Sequence, residues 1–157
     1  MRAPWLALLL LLPGCASSAT TEGAPVTFEI PIQLISNVVL VAASINGGPS
    51  ALLIVDTGAS ATILAPRLLK RLELDVPADA PRRKLTVVGG EKLDVPFIHV
   101  ASIAIGDAVL KDQEVGVYDF DPDTPVLDGL LGGDILHRFR VTLDRRAKRM
   151  VLQPLAR

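Results

Sequence analysis

Ala51 to Val55 is an unbroken apolar run, and it leads straight into Asp56-Thr57-Gly58. A run apolar on both faces reads as a strand buried centrally in a sheet. A carboxylate delivered at the end of such a strand is expensive to desolvate, so its place needs a chemical reason. The rest of the chain must therefore supply strands on both sides of this one and a setting in which Asp56 is useful.

The flanking sequence supplies the strands. Val26, Phe28, Ile30, Ile32 and Leu34 alternate with Thr27, Glu29, Pro31 and Gln33, the period of a half-buried strand. Pro31 lacks a backbone donor, which predicts an edge position. Asn37–Asn46 is a second strand, and Gly47-Gly48 a turn before Ala51–Val55. Leu64, Leu68 and Leu72 recur every four residues, with Pro66 near the first turn, and predict a short helix over Leu64–Leu74. Lys84–Val95 reads as a hairpin tipped by Gly89-Gly90. Phe97–Ile105 and Val109–Asp119 are further strands parted by Gly106-Asp107, and Val126–Leu136 is an apolar strand running into glycines and a helical turn. Alternation over Phe139–Asp144 and the run Arg149–Pro154 close the chain. Many short strands, tight turns and one or two short helices predict an all-β domain, a closed barrel or sandwich, over residues 26–155.

Composition narrows the function classes. The chain has 157 residues, half of them apolar, which is enough for one domain with a real core. A formal net charge of −1 gives no footprint for nucleic acid. Arg145, Arg146, Lys148 and Arg149 cluster locally and read as a solvated turn. His99 and His137 have no partners at metal-ligand spacing, so no metal or other cofactor is expected.

The first residues read as a targeting segment. Arg2 precedes an apolar run from Trp5 to Leu12, too short to span a bilayer. Leu12-Pro13-Gly14-Cys15 resembles a bacterial lipoprotein lipobox, which implies a signal peptide over 1–14, a lipidated Cys15 and a small, polar tether over 15–25. The expected location is then the cell envelope, membrane-anchored through the lipid and facing the periplasm. Ala16 in place of an acidic residue favours the outer membrane. The alternative is an ordinary secretory signal, and a secreted protein, if Cys15 is not lipidated.

Asp56-Thr57-Gly58-Ala59-Ser60 after an apolar strand resembles the active-site loop of aspartic proteases. About seventy-five residues on, Leu130-Leu131-Gly132 matches the apolar-apolar-Gly element of that family, with a helix start at Gly133–Leu136. Between them lies the glycine-tipped hairpin where the family places its flap, here Val88, Gly89 and Gly90. The whole order resembles single-domain, retropepsin-like proteases of bacterial type. The resemblance implies that Asp56 is catalytic, that the Thr57 hydroxyl bonds across a dimer axis, and that the flap covers an extended peptide or protein substrate. The Gly58 amide and the Ser60 hydroxyl can donate to the carboxylate, and Leu52–Val55 with Leu130-Leu131 hold the loop rigid.

One departure has a large consequence. There is a single Asp-Thr-Gly, since Asp123-Thr124 runs into Pro125, and Asp128 and Asp134 read as turn and helix-start residues. Two carboxylates at about 3 Å share a proton, one serving as base and the other as acid. One Asp56 per chain therefore implies a homodimer with the site on its twofold axis. The viral arginine after the second element is absent, with Gly133 and Asp134 in its place, and the only tyrosine, Tyr118, is not on the flap. The competing expectation is a lipid-anchored module of the same fold that grips peptides or dimerises without cutting.

Overall fold

The computed structural model describes residues 26–87, 89–119 and 127–155. The leader, Cys15, the tether, Val88 and the Asp123-Thr124-Pro125 loop lie outside these residues. Along the chain run β1 (Phe28–Ile35), β2 (Val38–Ile45), β3 (Ser50–Val55), β4 (Ile63–Leu64), α1 (Pro66–Arg71), β5 (Arg82–Thr86), β6 (Lys92–Ile105), β7 (Ala108–Val117), β8 (Gly129–Leu131), α2 (Gly133–Leu136), β9 (Phe139–Asp144) and β10 (Arg149–Pro154). The all-β reading holds, and the topology is a closed barrel. Neighbours follow β6-β7-β4-β8-β3-β2, and β2 returns to β6 through Ser44–Ala104 and Ile45–Ile103. Closure leaves these six strands without a free edge. Two additions hang from the barrel: a sheet of β1, β10 and β9, and a hairpin of β5 with the first part of β6.

Two prolines mark where these additions leave the barrel. β1 is not the edge strand that Pro31 suggests, because it lies between β2 and β10 in the strand order. Phe28–Pro31 pair with β10, and Ile32–Ile35 pair with β2. Pro31 is thus the last residue before a change of partner, where a missing N–H leaves no gap in the ladder that follows. Pro96 repeats the device. The expected break between Val95 and Phe97 does not occur, and β6 runs through it, pairing with β5 up to Pro96 and with β7 from Phe97 onward.

The core is aliphatic, as the scarcity of aromatics requires. Val41, Leu53, Ile103, Leu131, Ile135 and Leu152 are among its fully enclosed members. A smaller cluster of Ile63, Val95 and Phe97 sits under the root of the β5–β6 hairpin, with Tyr118 packed against it. The helix is shorter than its leucine spacing suggests. Leu64 belongs to β4, Pro66 takes the first helical position, and Leu68 and Leu69 are buried. The expected apolar strand running into glycines and a helical turn is β8 followed by α2, and its first residue, Val126, lies outside the described residues. β3 is central, but its burial is one-sided. Ala51 and Leu53 are enclosed, whereas Leu52 and Ile54 are half-buried on the face that looks outward.

Asp128 is not a turn residue. Its side chain is 5% exposed and takes Arg71 Nη1 at 2.7 Å and the Leu52 amide at 2.9 Å. Arg71 also donates to the Ser50 carbonyl at 3.1 Å. A carboxylate enclosed to this degree needs such partners. Together they tie α1 to the starts of β3 and β8, the two strands that carry the site.

Candidate active site

β3 and β8 lie side by side and parallel, with Leu53 facing Gly129, Ile54 facing Leu130 and Val55 facing Leu131. The pairing ends where the Asp56 amide donates to the Leu131 carbonyl at 3.0 Å. The chain then turns sharply, and Asp56 Oδ1 accepts from the amides of Gly58 at 2.9 Å and Ala59 at 3.3 Å. A carboxylate held by its own loop in this way has one oriented oxygen and one left free for chemistry. The second donor is the Ala59 amide, not the Ser60 hydroxyl expected from the sequence, because the turn aims backbone N–H groups inward and leaves Ser60 exposed. A Cβ on Gly58 would press on Asp56 Oδ1 at 3.3 Å, so glycine keeps that oxygen unstrained. Thr57 and Gly58 are exposed at the rim.

The exit of the loop is pinned to α2. The Gly133 amide donates to the Ala59 carbonyl at 2.7 Å. Thr62 is fully buried. Its Oγ1 donates to Asp134 Oδ1 at 2.8 Å and accepts from the Gly132 amide at 3.0 Å, while its own amide donates to Asp134 Oδ2 at 2.9 Å. Gly132 has no room for a side chain, since a Cβ there would overlap the Ala61 carbonyl group and come within 2.8 Å of the Thr62 amide nitrogen. Asp134 is therefore more than a helix-start residue. It is the tie between the two motif elements. Asp134 carried a signal in the sequence: it is a lone acid between Gly132-Gly133 and Ile135-Leu136.

Asp56, Gly58, Ala59 and Ser60 open onto a cleft of about 310 Å³, a size at the low end of ligand sites. Its walls are Ile63 and Leu130 below and Leu85, Thr86 and Val87 of the β5–β6 hairpin above. The hairpin thus lies over the Asp56 loop, but its cleft-lining residues are not the glycines. Gly89 and Gly90, with φ of 102° and 86°, form the tip and stand in open space. The tip closes through Gly90 N to Val87 O and Val87 N to Glu91 O, each at 3.0 Å. At the root, Arg83 pairs with Glu114 of β7 and stacks over the Phe97 ring at 4.5 Å. Among the described residues, no group of three or more His, Cys, Asp or Glu side chains could hold a metal ion. His99 is exposed beside Asp112 at 3.5 Å, and His137 caps the end of α2.

A buried parallel strand pair, a carboxylate-bearing turn at its end and a covering hairpin are the frame on which comparison with known proteins bears. Residues 41–135 match the family model described as aspartyl protease, more than half of the chain. A search of curated proteins returns no match. Among solved structures, a retropepsin-like aspartic protease from Rickettsia conorii superposes with a TM-score of 0.62, at 22% identity, over 83% of this chain and 94% of that one. Sequence and fold agree: the chain has the retropepsin-like fold, and it belongs to the aspartyl protease family.

Proposed function

We propose that the chain is an aspartic endopeptidase that acts as a homodimer, with Asp56 of each copy facing the other across a twofold axis. The observation that carries this reading is the single Asp56 carboxylate, oriented by two amides of its own loop, in an apolar-walled cleft beneath a hairpin. One such group can hold or activate a water, and the second acid–base role requires a second carboxylate. In the dimer the pair holds one proton. One oxygen deprotonates the attacking water while the partner's acid polarises the peptide carbonyl and later protonates the departing amine. Leu85, Thr86 and Val87 close over an extended peptide and exclude bulk water. In this reading the exposed Thr57 meets its own copy across the axis, and its exposure in the Asp56 loop supports that role. The envelope location, with a lipid anchor at Cys15, belongs to the same proposal and draws on the lipobox-like Leu12–Cys15.

The test compares wild type with Asp56→Asn on a mixed peptide library across pH. The reading expects cleavage by wild type alone, with a bell-shaped pH profile from the shared proton. Equal cleavage by both proteins removes Asp56 from the mechanism. Retention of peptides by both proteins without cleavage gives the fold a binding role instead.

A further inference from the structure

At the end of the barrel away from Asp56 lies a groove of about 430 Å³, walled by Phe28, Val109, Phe139 and Leu155, with exposed Lys111 and Arg138 in its lining. Strand pairing sets its distance from the cleft. Val109 pairs with Ala104, Ala104 with Ser44, and Ser44 with Ser50 at the start of β3. Asp56 follows the other end of that strand, about 20 Å away at the usual rise per residue. Apolar side chains at the groove stand in water, with Val109 58% and Leu155 50% exposed. The chain also enters here: Val26, 65% exposed, comes just before Phe28, and residues 16–25 join it to Cys15. The lining contains no acid. Lys111 makes no ion pair among the described residues, and Arg138 commits only its Nε, which donates to the Asp134 carbonyl at 3.0 Å. Of the acids next to the groove in the chain, Glu29 is paired with Arg149 at 3.0 Å, and Asp107 stands at the β6–β7 turn.

We propose that this face, with Val109 and Leu155 as its apolar contacts and Lys111 and Arg138 as its cations, rests on an anionic lipid surface. The proposal rests on the lipid-anchor part of the reading above and adds how the anchored domain is turned. Apolar side chains flanked by unpaired cations match the boundary between acyl chains and anionic headgroups, the apolar groups entering and the cations meeting phosphate. Charge complementarity excludes a basic partner, and the position of Val26 singles out this end. The segment that leads to Cys15 leaves the domain beside the groove, so an anchor there brings this face to the bilayer first. The acyl chains hold the protein at the membrane, and the face fixes its orientation. The consequence is functional: with the groove on the lipid, the Asp56 cleft and its hairpin point away from the bilayer and take substrate from the aqueous side. Asp107 opposes the contact, which makes it a handle on the proposal.

The experiment reconstitutes the full chain into vesicles of phosphatidylcholine, with or without phosphatidylglycerol, and into detergent. An amine-reactive reagent then labels the lysines, and mass spectrometry reads the rate at each. On anionic vesicles Lys111 should be labelled about fivefold more slowly than in detergent, the weight of one cation at such a surface, while Lys84 and Lys92 of the hairpin are labelled equally in both. High salt or vesicles of phosphatidylcholine alone should restore Lys111. Leu155→Asp, verified as folded by circular dichroism, should abolish the protection, and Asp107→Asn should strengthen it. Labelling of Lys111 on anionic vesicles as fast as in detergent overturns the proposal, as does equal protection of Lys84. Protection of Lys111 in detergent that grows with protein concentration also overturns it and makes the face a contact between copies. The mass of the wild-type protein reads acylation of Cys15 separately. Protection of Lys111 without an acyl group on Cys15 leaves the face standing and removes the anchor, and an acylated protein with Lys111 unprotected does the reverse.

Discussion

Replacing Thr62 by valine removes one hydroxyl and changes almost nothing in shape, which isolates the tie between the Asp56 loop and α2. In the native structure that hydroxyl donates to Asp134 Oδ1 at 2.8 Å and accepts from the Gly132 amide at 3.0 Å, at a site with no solvent access. A hydrogen bond to an ionised group contributes about 1.5–3 kcal/mol, and an orphaned buried N–H costs about 1–3 kcal/mol. The added apolar contact of the valine returns roughly 0.8 kcal/mol. Asp134 keeps the amides of Thr62 and Ile135, so the lower halves of these ranges apply. The expected net loss is about 2–3 kcal/mol, a large share of a typical domain's stability. Thr62→Ser keeps both hydrogen bonds and loses one buried methyl, about 1 kcal/mol. Urea unfolding followed by circular dichroism reads the difference. With a slope of about 2 kcal/mol per molar, the valine midpoint falls by about 1–1.5 M and the serine midpoint by about 0.5 M. A valine variant as stable as wild type, or less perturbed than the serine variant, refutes the claim that the hydroxyl bridge holds the loop.

Other consequences follow from the same geometry. Arg71→Ala strands the enclosed Asp128 carboxylate and should cost about 2–3 kcal/mol, held below the fully buried range because Arg71 is 44% exposed. Adding Asp128→Asn should recover part of it, and thermal unfolding of the double-mutant cycle measures the coupling. Gly132→Ala drives a methyl into the Ala61 carbonyl and should destabilise by about 3 kcal/mol or leave no folded protein, read by the same melts. Arg83→Gln cuts the ion pair to Glu114 and the stacking on Phe97 at the hairpin root. Global stability should fall by about 1 kcal/mol or less, while hydrogen exchange of the amides of β5 accelerates several-fold more than that of β2.

The divide between what was legible in the chain and what was not follows the range of the interactions. Alternation marked β1 and β9, because strand burial has a period of two residues, and the paired glycines marked the hairpin. Asp56-Thr57-Gly58 and Leu130-Leu131-Gly132 stood out because a tight turn and a close backbone approach each restrict the residue types that fit. The misreadings were all matters of partners. Pro31 and Pro96 announced a missing donor, but only the assembled sheets reveal that both stand at a change of neighbour. β4, two residues long, has no period to detect and exists because β7 and β8 pair with it from either side. Asp128 resembled a turn residue until Arg71, 57 positions away, proved to be its counterion. The local chemistry of the sequence by itself determined that a carboxylate would end a buried strand. Only the tertiary structure decided that β8 lies parallel beside it, that Ala59 rather than Ser60 orients the acid, and that Leu85 to Val87 cover it. Those outcomes depend on register between segments far apart in the chain, and register is a property of packing that neither segment carries alone.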